Sequence, residues 1–200
     1  FRSFFVLRLG RLGIHHVTIH DHHRSMQIRR ATMGDVPVIM TIVGQVVPLM
    51  LASKNFQWSA EYPTATDFEE DVEAQLLWVA EVENNVVGAA ALTMEQEPEY
   101  ANVGWDIADL AIVPHRLCVS PTRQRQGVAA ALLEKAEALA LECGCNRIRI
   151  DTCTMNEGMQ RLLCKLGFEY AGHVALADTK EGTRFALFEK LLAPSTTSLV

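Results

Sequence analysis

From Arg116 to Ala129 the chain reads Arg-Leu-Cys-Val-Ser-Pro-Thr-Arg-Gln-Arg-Gln-Gly-Val-Ala: an apolar run to Val119, a proline turn, two arginines, then a glycine. A strand that stops at Pro121 and delivers Gly127 into an alanine-rich helix leaves several backbone N–H groups converging ahead of a helix N-terminus. Those donors lack intrahelical partners and the helix dipole adds partial positive charge, so the chemistry on offer is anion binding. Gly127 permits close backbone approach and Ala129 keeps the helix start narrow. Arg123 and Arg125 either pair with the anion or are solvated loop charges.

The elements that must hold this loop can be read from periodicity. Thr32-x-x-Asp35 opens a first helix to about Leu51, with Val36, Ile39, Val43, Val46 and Met50 at helical spacing. Phe56, Trp58 and Tyr62 then lie on an aromatic loop suited to a pocket rim or to core plugging, before Thr66-x-x-Glu69 caps a second helix to about Ala74. Leu77 to Val82 and Val86 to Thr93 predict a hairpin turning at Glu83-Asn84-Asn85. After an acidic connection with Glu95, Glu97 and Glu99, the pattern predicts a strand from about Leu110 to Val119 and a helix from Gly127 to Cys143. A strand over Arg147 to Thr152 and a helix over Asn156 to Leu166 come next, then strands over Phe168 to about Leu176 and Arg184 to Leu191.

The order β-α-α-β-β-β-α-β-α-β-β has no repeat and no linker. It predicts one α/β (α+β) domain over residues 26–193, a mixed, mostly antiparallel sheet with helices on both faces. Residues 1–25 are arginine-rich, hold five histidines between 15 and 23 and differ in character from the rest of the chain; they read as a leader foreign to the domain, with Met26 a natural start and 194–200 a frayed tail.

Composition sets the limits. The 200 residues carry a formal charge of −6. Four arginines stand against one acidic residue before Met26, leaving 14 basic against 23 acidic residues after it. Such a domain is a poor general binder of nucleic acid or anionic membrane. Five cysteines without Cys-x-x-Cys pairing indicate buried free thiols in a reducing, cytoplasmic setting, with no metal site. The apolar run Val36 to Ala52 falls short of a membrane span and is broken by Pro37, Gly44, Gln45 and Pro48.

Gln124-x-x-Gly127-x-Ala129, together with Asn156 and the run Arg161-Leu162-Leu163-Cys164-Lys165-Leu166-Gly167-Phe168, resembles the two signatures of the GCN5-related N-acetyltransferase (GNAT) family. The resemblance covers residues 26 to 192. It implies the GNAT-like fold, acetyl-CoA as cofactor, and acetyl transfer to a primary amine of a small molecule or peptide by direct reaction in a ternary complex. The same resemblance allows a homodimer. A non-catalytic acyl-CoA binder of the same fold is the alternative, and a Rossmann module is disfavoured because no Gly-x-Gly-x-x-Gly stands after the first strand.

Carried over by position, the backbone of Leu117, Cys118 and Val119 faces the pantetheine arm. Gln124, Arg125, Gln126, Gly127, Val128 and Ala129 hold the pyrophosphate, with Arg123 beside them, and Asn156 contacts the cofactor near the thioester arm. The tyrosine that many members use to protonate the departing thiolate is replaced by Leu163. For the general base, His115 titrates in a useful range and Glu95 or Glu97 are alternatives, with Asp109 on the same predicted strand. Trp58, Tyr62 and Arg116 are expected to shape the acceptor pocket, Arg116 by recognising an acidic acceptor; Trp78 and Trp105 are core unless they line it.

Overall fold

The computed structural model describes residues 26–177 and 179–193. The readings of residues 1–25 and of the tail lie outside them. In chain order the elements are β1 (Met26–Arg30), α1 (Val36–Ala52), α2 (Ala65–Glu73), β2 (Leu77–Val82), β3 (Asn85–Thr93), β4 (Val113–Val119), α3 (Val128–Glu142), β5 (Arg147–Cys153), α4 (Glu157–Lys165), β6 (Glu169–Val174) and β7 (Phe185–Leu191).

This is the expected α/β order, but the strands form two antiparallel sheets rather than one. The first has the order β1-β2-β3-β4 and the second β5-β7-β6. A single parallel bridge between Ile112 and Ile148 joins them. There the Ile112 N–H donates to the Arg147 carbonyl at 3.1 Å and the Arg149 N–H donates to the Ile112 carbonyl at 3.0 Å. Beyond that bridge β4 and β5 have no ladder between them among the described residues, and the two strands open like a V.

Strand alternation sends residues to opposite layers. From β3, Ala89 and Ala91 join Val36, Ile39, Val43, Phe68 and Cys118 under α1 and α2. Ala90 and Leu92 join Leu132, Leu133, Ala136, Ile148, Ile150 and Leu163 under α3 and α4. A third cluster, with Tyr100, Val113, Phe185 and Leu187, fills the other face of the second sheet. Small residues in β3 let both layers approach. At Gly88 a Cβ would lie 2.8 Å from Val128 and 2.9 Å from the Cys118 carbonyl, so this glycine lets the start of α3 sit directly on β3 and β4.

Several boundaries move for local reasons. The cap of α2 is Thr64, not Thr66: Thr64 is extended, its hydroxyl accepts from the Asp67 N–H, and Asp67 accepts from the Thr64 N–H in return. The hairpin turn is only Glu83-Asn84, at φ +52° and +60°, with Asn85 already paired to Val82. The first helix runs within a residue of the expected bounds, but its apolar stretch is longer than a count from Val36 allows. With a 3₁₀ turn at Met33–Asp35 it spans 20 residues at mean hydropathy 1.8, enough by length and composition to cross a membrane. Here Val36, Ile39, Ile42, Val43 and Val47 pack on the first sheet, while Val38, Leu49 and Leu51 stay exposed.

Candidate active site

The anion loop forms as the spacing demands. After Ser120, whose N–H donates to the Val87 carbonyl at 2.8 Å, a 3₁₀ turn over Pro121–Arg123 swings the chain off the sheet. Arg125 and Gly127 then adopt left-handed backbone, φ +61° and +85°, and α3 begins at Val128. A Cβ on Gly127 would meet nothing within 4 Å, so conformation rather than crowding calls for glycine here. The N–H groups of residues 125–130 take no acceptor among the described residues. Arg123 reaches only Gln126, at 3.5 Å, and Gln126 donates to the Thr122 carbonyl. A polyanionic pyrophosphate fits this unpaired donor set.

The V between the strands continues from the loop as a cleft of about 1290 Å³. Pro114 to Val119 form one wall and Ile150, Asp151 and Thr152 the other. The loop at Gln124, Arg125 and Ala129 lies at one end, and Phe56, Trp58, Tyr62, Leu176 and Lys180 overhang it. Because Ser120 bonds to β3, antiparallel alternation turns the main chain of Val119, and two residues back that of Leu117, towards the open side, while that of Cys118 stays with β3. Asn156 lines the cleft as the cap of α4: its Oδ1 accepts from the Met159 N–H at 3.2 Å and its Nδ2 donates to Thr152 at 3.1 Å.

Within β4 the ladder slips between Ala89 and Ala91, so Arg116 and Leu117 oppose Ala90 alone. Arg116 sits in this bulge at φ +49°. The expected role of Arg116, recognition of an acidic acceptor, meets a partner already in place. Its guanidinium donates to both oxygens of Asp71 on α2, at 2.6 and 2.7 Å, and lies 3.5 Å from the Tyr62 hydroxyl. A guanidinium committed to a buried carboxylate is not a free receptor for an acidic acceptor.

His115 and Glu95 do come together, but through the main chain. His115 Nε2 lies 3.2 Å from the Glu95 carbonyl. A carbonyl only accepts, so Nε2 carries a proton, and whenever the ring is neutral its lone pair lies on Nδ1. The Glu95 side chain is exposed, and with Glu97, His115, Arg116 and Tyr62 it lines an adjoining pocket of about 450 Å³. Burial pushes the Glu97 carboxyl above the usual carboxylate range.

The remaining sequence candidates divide clearly. Tyr62 is 41% exposed on the cleft rim, whereas Trp58 at 5% packs in the core beneath α1 and also lines the cleft. Trp78 stacks between Arg30 and Lys135, and Trp105 under Arg149 and edge-on to Tyr100; neither lines the cleft. Asp109 pairs with Arg147 and Arg149. Leu163 is fully buried in the core below α3, so the α4 residues on the cleft are Glu157, Gly158, Met159, Arg161 and Leu162, none with a hydroxyl. Cys118 is buried and its thiol is pushed up to about 12 by desolvation, so it is no nucleophile.

Sequence reasoning passed over Asp151 and Tyr100. Counting from the Ile112–Ile148 bridge, His115 and Asp151 stand level on the two diverging strands, three residues past it. Tyr100, fully buried, donates its hydroxyl to Asp151 Oδ2 at 2.6 Å. Burial pushes the Asp151 carboxyl up and holds the Tyr100 hydroxyl well above its ordinary range. In sequence Asp151 is only one charged residue of an alternating strand.

A family model described as the acetyltransferase (GNAT) family matches residues 45–168. The chain belongs to this family. The matched segment runs from α1 to the Gly167-Phe168 turn and contains the splayed strands, the anion loop and α4. Solved structures agree on the fold. A GNAT-family acetyltransferase from Streptococcus agalactiae superposes with a TM-score of 0.71 at 23% identity over 84% of this chain and 96% of its own. The yncA protein from Salmonella typhimurium, solved with its cofactor acetyl-CoA, gives 0.64 at 19% over 84% and 94%. A ribosomal-protein-alanine N-acetyltransferase from Brucella melitensis gives 0.64 at 21% over 83% and 99%. No curated protein sequence matches the chain. The GNAT cofactor is acetyl-CoA, and the unpaired loop amides and the adjoining V are a donor set and channel of the kind it requires.

Proposed function

We propose that this GNAT protein is an N-acetyltransferase that moves an acetyl group from acetyl-CoA to a primary amine of a small molecule or peptide by direct transfer. The observation that carries the reading is the continuity of the site: unpaired amides at 125–130 run into a cleft whose far end holds His115 and Asp151 on separate strands. In this reading Gln124 to Ala129 hold the pyrophosphate, Arg123 and Arg125 add charge, and Leu117 and Val119 present main chain to the pantetheine arm. Asn156 contacts that arm while capping α4. When bound, acetyl-CoA supplies the activated acetyl group as a thioester.

The chain's own contribution is placement and proton handling. The acceptor enters as an ammonium and must lose a proton before its nitrogen can attack; His115 Nδ1 takes that proton. The new C–N bond forms as the C–S bond breaks, and the nitrogen's second proton ends on the sulfur. With Leu163 buried, no side chain on α4 delivers that proton, so solvent in the open cleft does. An ordinary thiol has a pKa of about 8.5, so its anion can depart near neutral pH at some cost in rate. Glu95 acts through its carbonyl, holding the His115 tautomer. A cytoplasmic, homodimeric form fits five free cysteines and the family. Thiol release across a panel of amines tests the activity; release with none of them, despite acetyl-CoA binding, favours the non-catalytic acyl-CoA binder.

A further inference from the structure

We infer that Asp151 is the residue that receives the ammonium group of the acceptor, held in place for that task by Tyr100. The inference rests on the N-acetyltransferase reading and adds to it a specificity determinant. On the Arg147-Arg149-Asp151 face of β5 each guanidinium is matched: Arg147 with Asp109, and Arg149 with Glu189 at 2.8 Å and Gln96 at 2.6 Å. Asp151 is the exception. Tyr100 donates to Oδ2, and no other side chain among the described residues donates to the carboxylate.

Arg116, a cation on the facing wall of the cleft, is already neutralised by Asp71. The other titratable groups that act on this point are His115 from β4 and Glu97 from the β3–β4 connection, with Glu95 and Glu99 beside Glu97. A half-buried carboxylate without a cation of its own is a place where something positive gains by joining it. It lies on the cleft lining, level with the proposed proton acceptor His115, so an amine salt-bridged to Asp151 would present its nitrogen between the two strands. Tyr100 fixes the carboxylate because its own ring is locked in the core, edge-on to Trp105 at 5.6 Å.

Calorimetric titration of the CoA-loaded protein with n-butylammonium chloride and with 1-butanol separates charge from shape. The wild type should bind the ammonium at least about tenfold more tightly than the alcohol. Asp151→Asn should abolish that preference while CoA binding is unchanged, and Tyr100→Phe should reduce it. Equal binding of the two probes by the wild type, or a preference surviving in Asp151→Asn, overturns the inference. The wild-type comparison stands even where a variant does not fold. Intact ammonium preference without acetyl transfer to any amine would instead sink the activity and leave this binding role standing.

Discussion

Arg116 and Asp71 form a bidentate ion pair, 2.6 and 2.7 Å, that ties the bulge of β4 to helix α2. Both side chains are largely removed from solvent, at 19% and 6% exposure. Removing one partner strands a desolvated charge. Arg116→Ala should therefore cost about 3 kcal/mol of stability, and Arg116→Met with Asp71→Leu should recover most of it. Urea unfolding of the single and double variants checks this; a stable Arg116→Ala with a raised KM for an acidic acceptor would restore the recognition role instead.

Gly127 carries a left-handed backbone beside the unpaired amides. Gly127→Glu adds backbone strain of about 1 kcal/mol and a negative charge at the anion site. Acetyl-CoA at about 100 times its Kd should stabilise the wild type by about 2.7 kcal/mol, and this should vanish in the variant. Thermal melts with and without acetyl-CoA measure both.

The first turn was legible because its physics is local. Thr32, Asp35 and the pattern after them predict a capped helix, and Asp35 does accept from the Thr32 N–H at 2.8 Å. The anion loop was legible for the same reason: Pro121 and Gly127 dictate backbone on their own. Asp151 was not, because its meaning depends on the Ile112–Ile148 bridge and on Tyr100, 51 positions away. The bulge at Arg116 was also hidden, since a non-glycine residue at φ +49° leaves no compositional mark. Trp58 stayed open between rim and core because an aromatic on a loop reads alike in either place, and it proves to be buried against α1 while also lining the cleft.

Asp35 yields an acid-range prediction. Arg29 chiefly, and Thr32 with it, hold its carboxyl at about 2. A folded-state pKa below the unfolded value of about 3.9 gives stability that is present above the unfolded pKa and lost as pH falls through the folded one. Asp35→Asn should lower the melting temperature at neutral pH, and the gap to wild type should close as pH falls from about 4 to about 2.

Glu97 behaves in the opposite sense. Burial raises its pKa, so the charged form costs stability above the folded pKa and the cost disappears below the unfolded one. Glu97→Gln should raise the melting temperature at neutral pH and leave it unchanged in acid. A drop at neutral pH would mean that Glu97 is stabilised by partners rather than penalised by burial.

His115→Gln keeps a donor for the Glu95 carbonyl but has no basic nitrogen. It should retain acetyl-CoA binding and lose about 100-fold in kcat. Unchanged turnover would remove His115 from the proton path.

The most direct test of the central claim tracks the acetyl group itself. Protein incubated with acetyl-labelled acetyl-CoA and a panel of primary amines is analysed by mass spectrometry for label on the amine nitrogen. If acetyl transfer is the function, a labelled amide and an equivalent of free CoA thiol form, both abolished by Gly127→Glu. Acetyl-CoA binding with no labelled amide from any amine would contradict it.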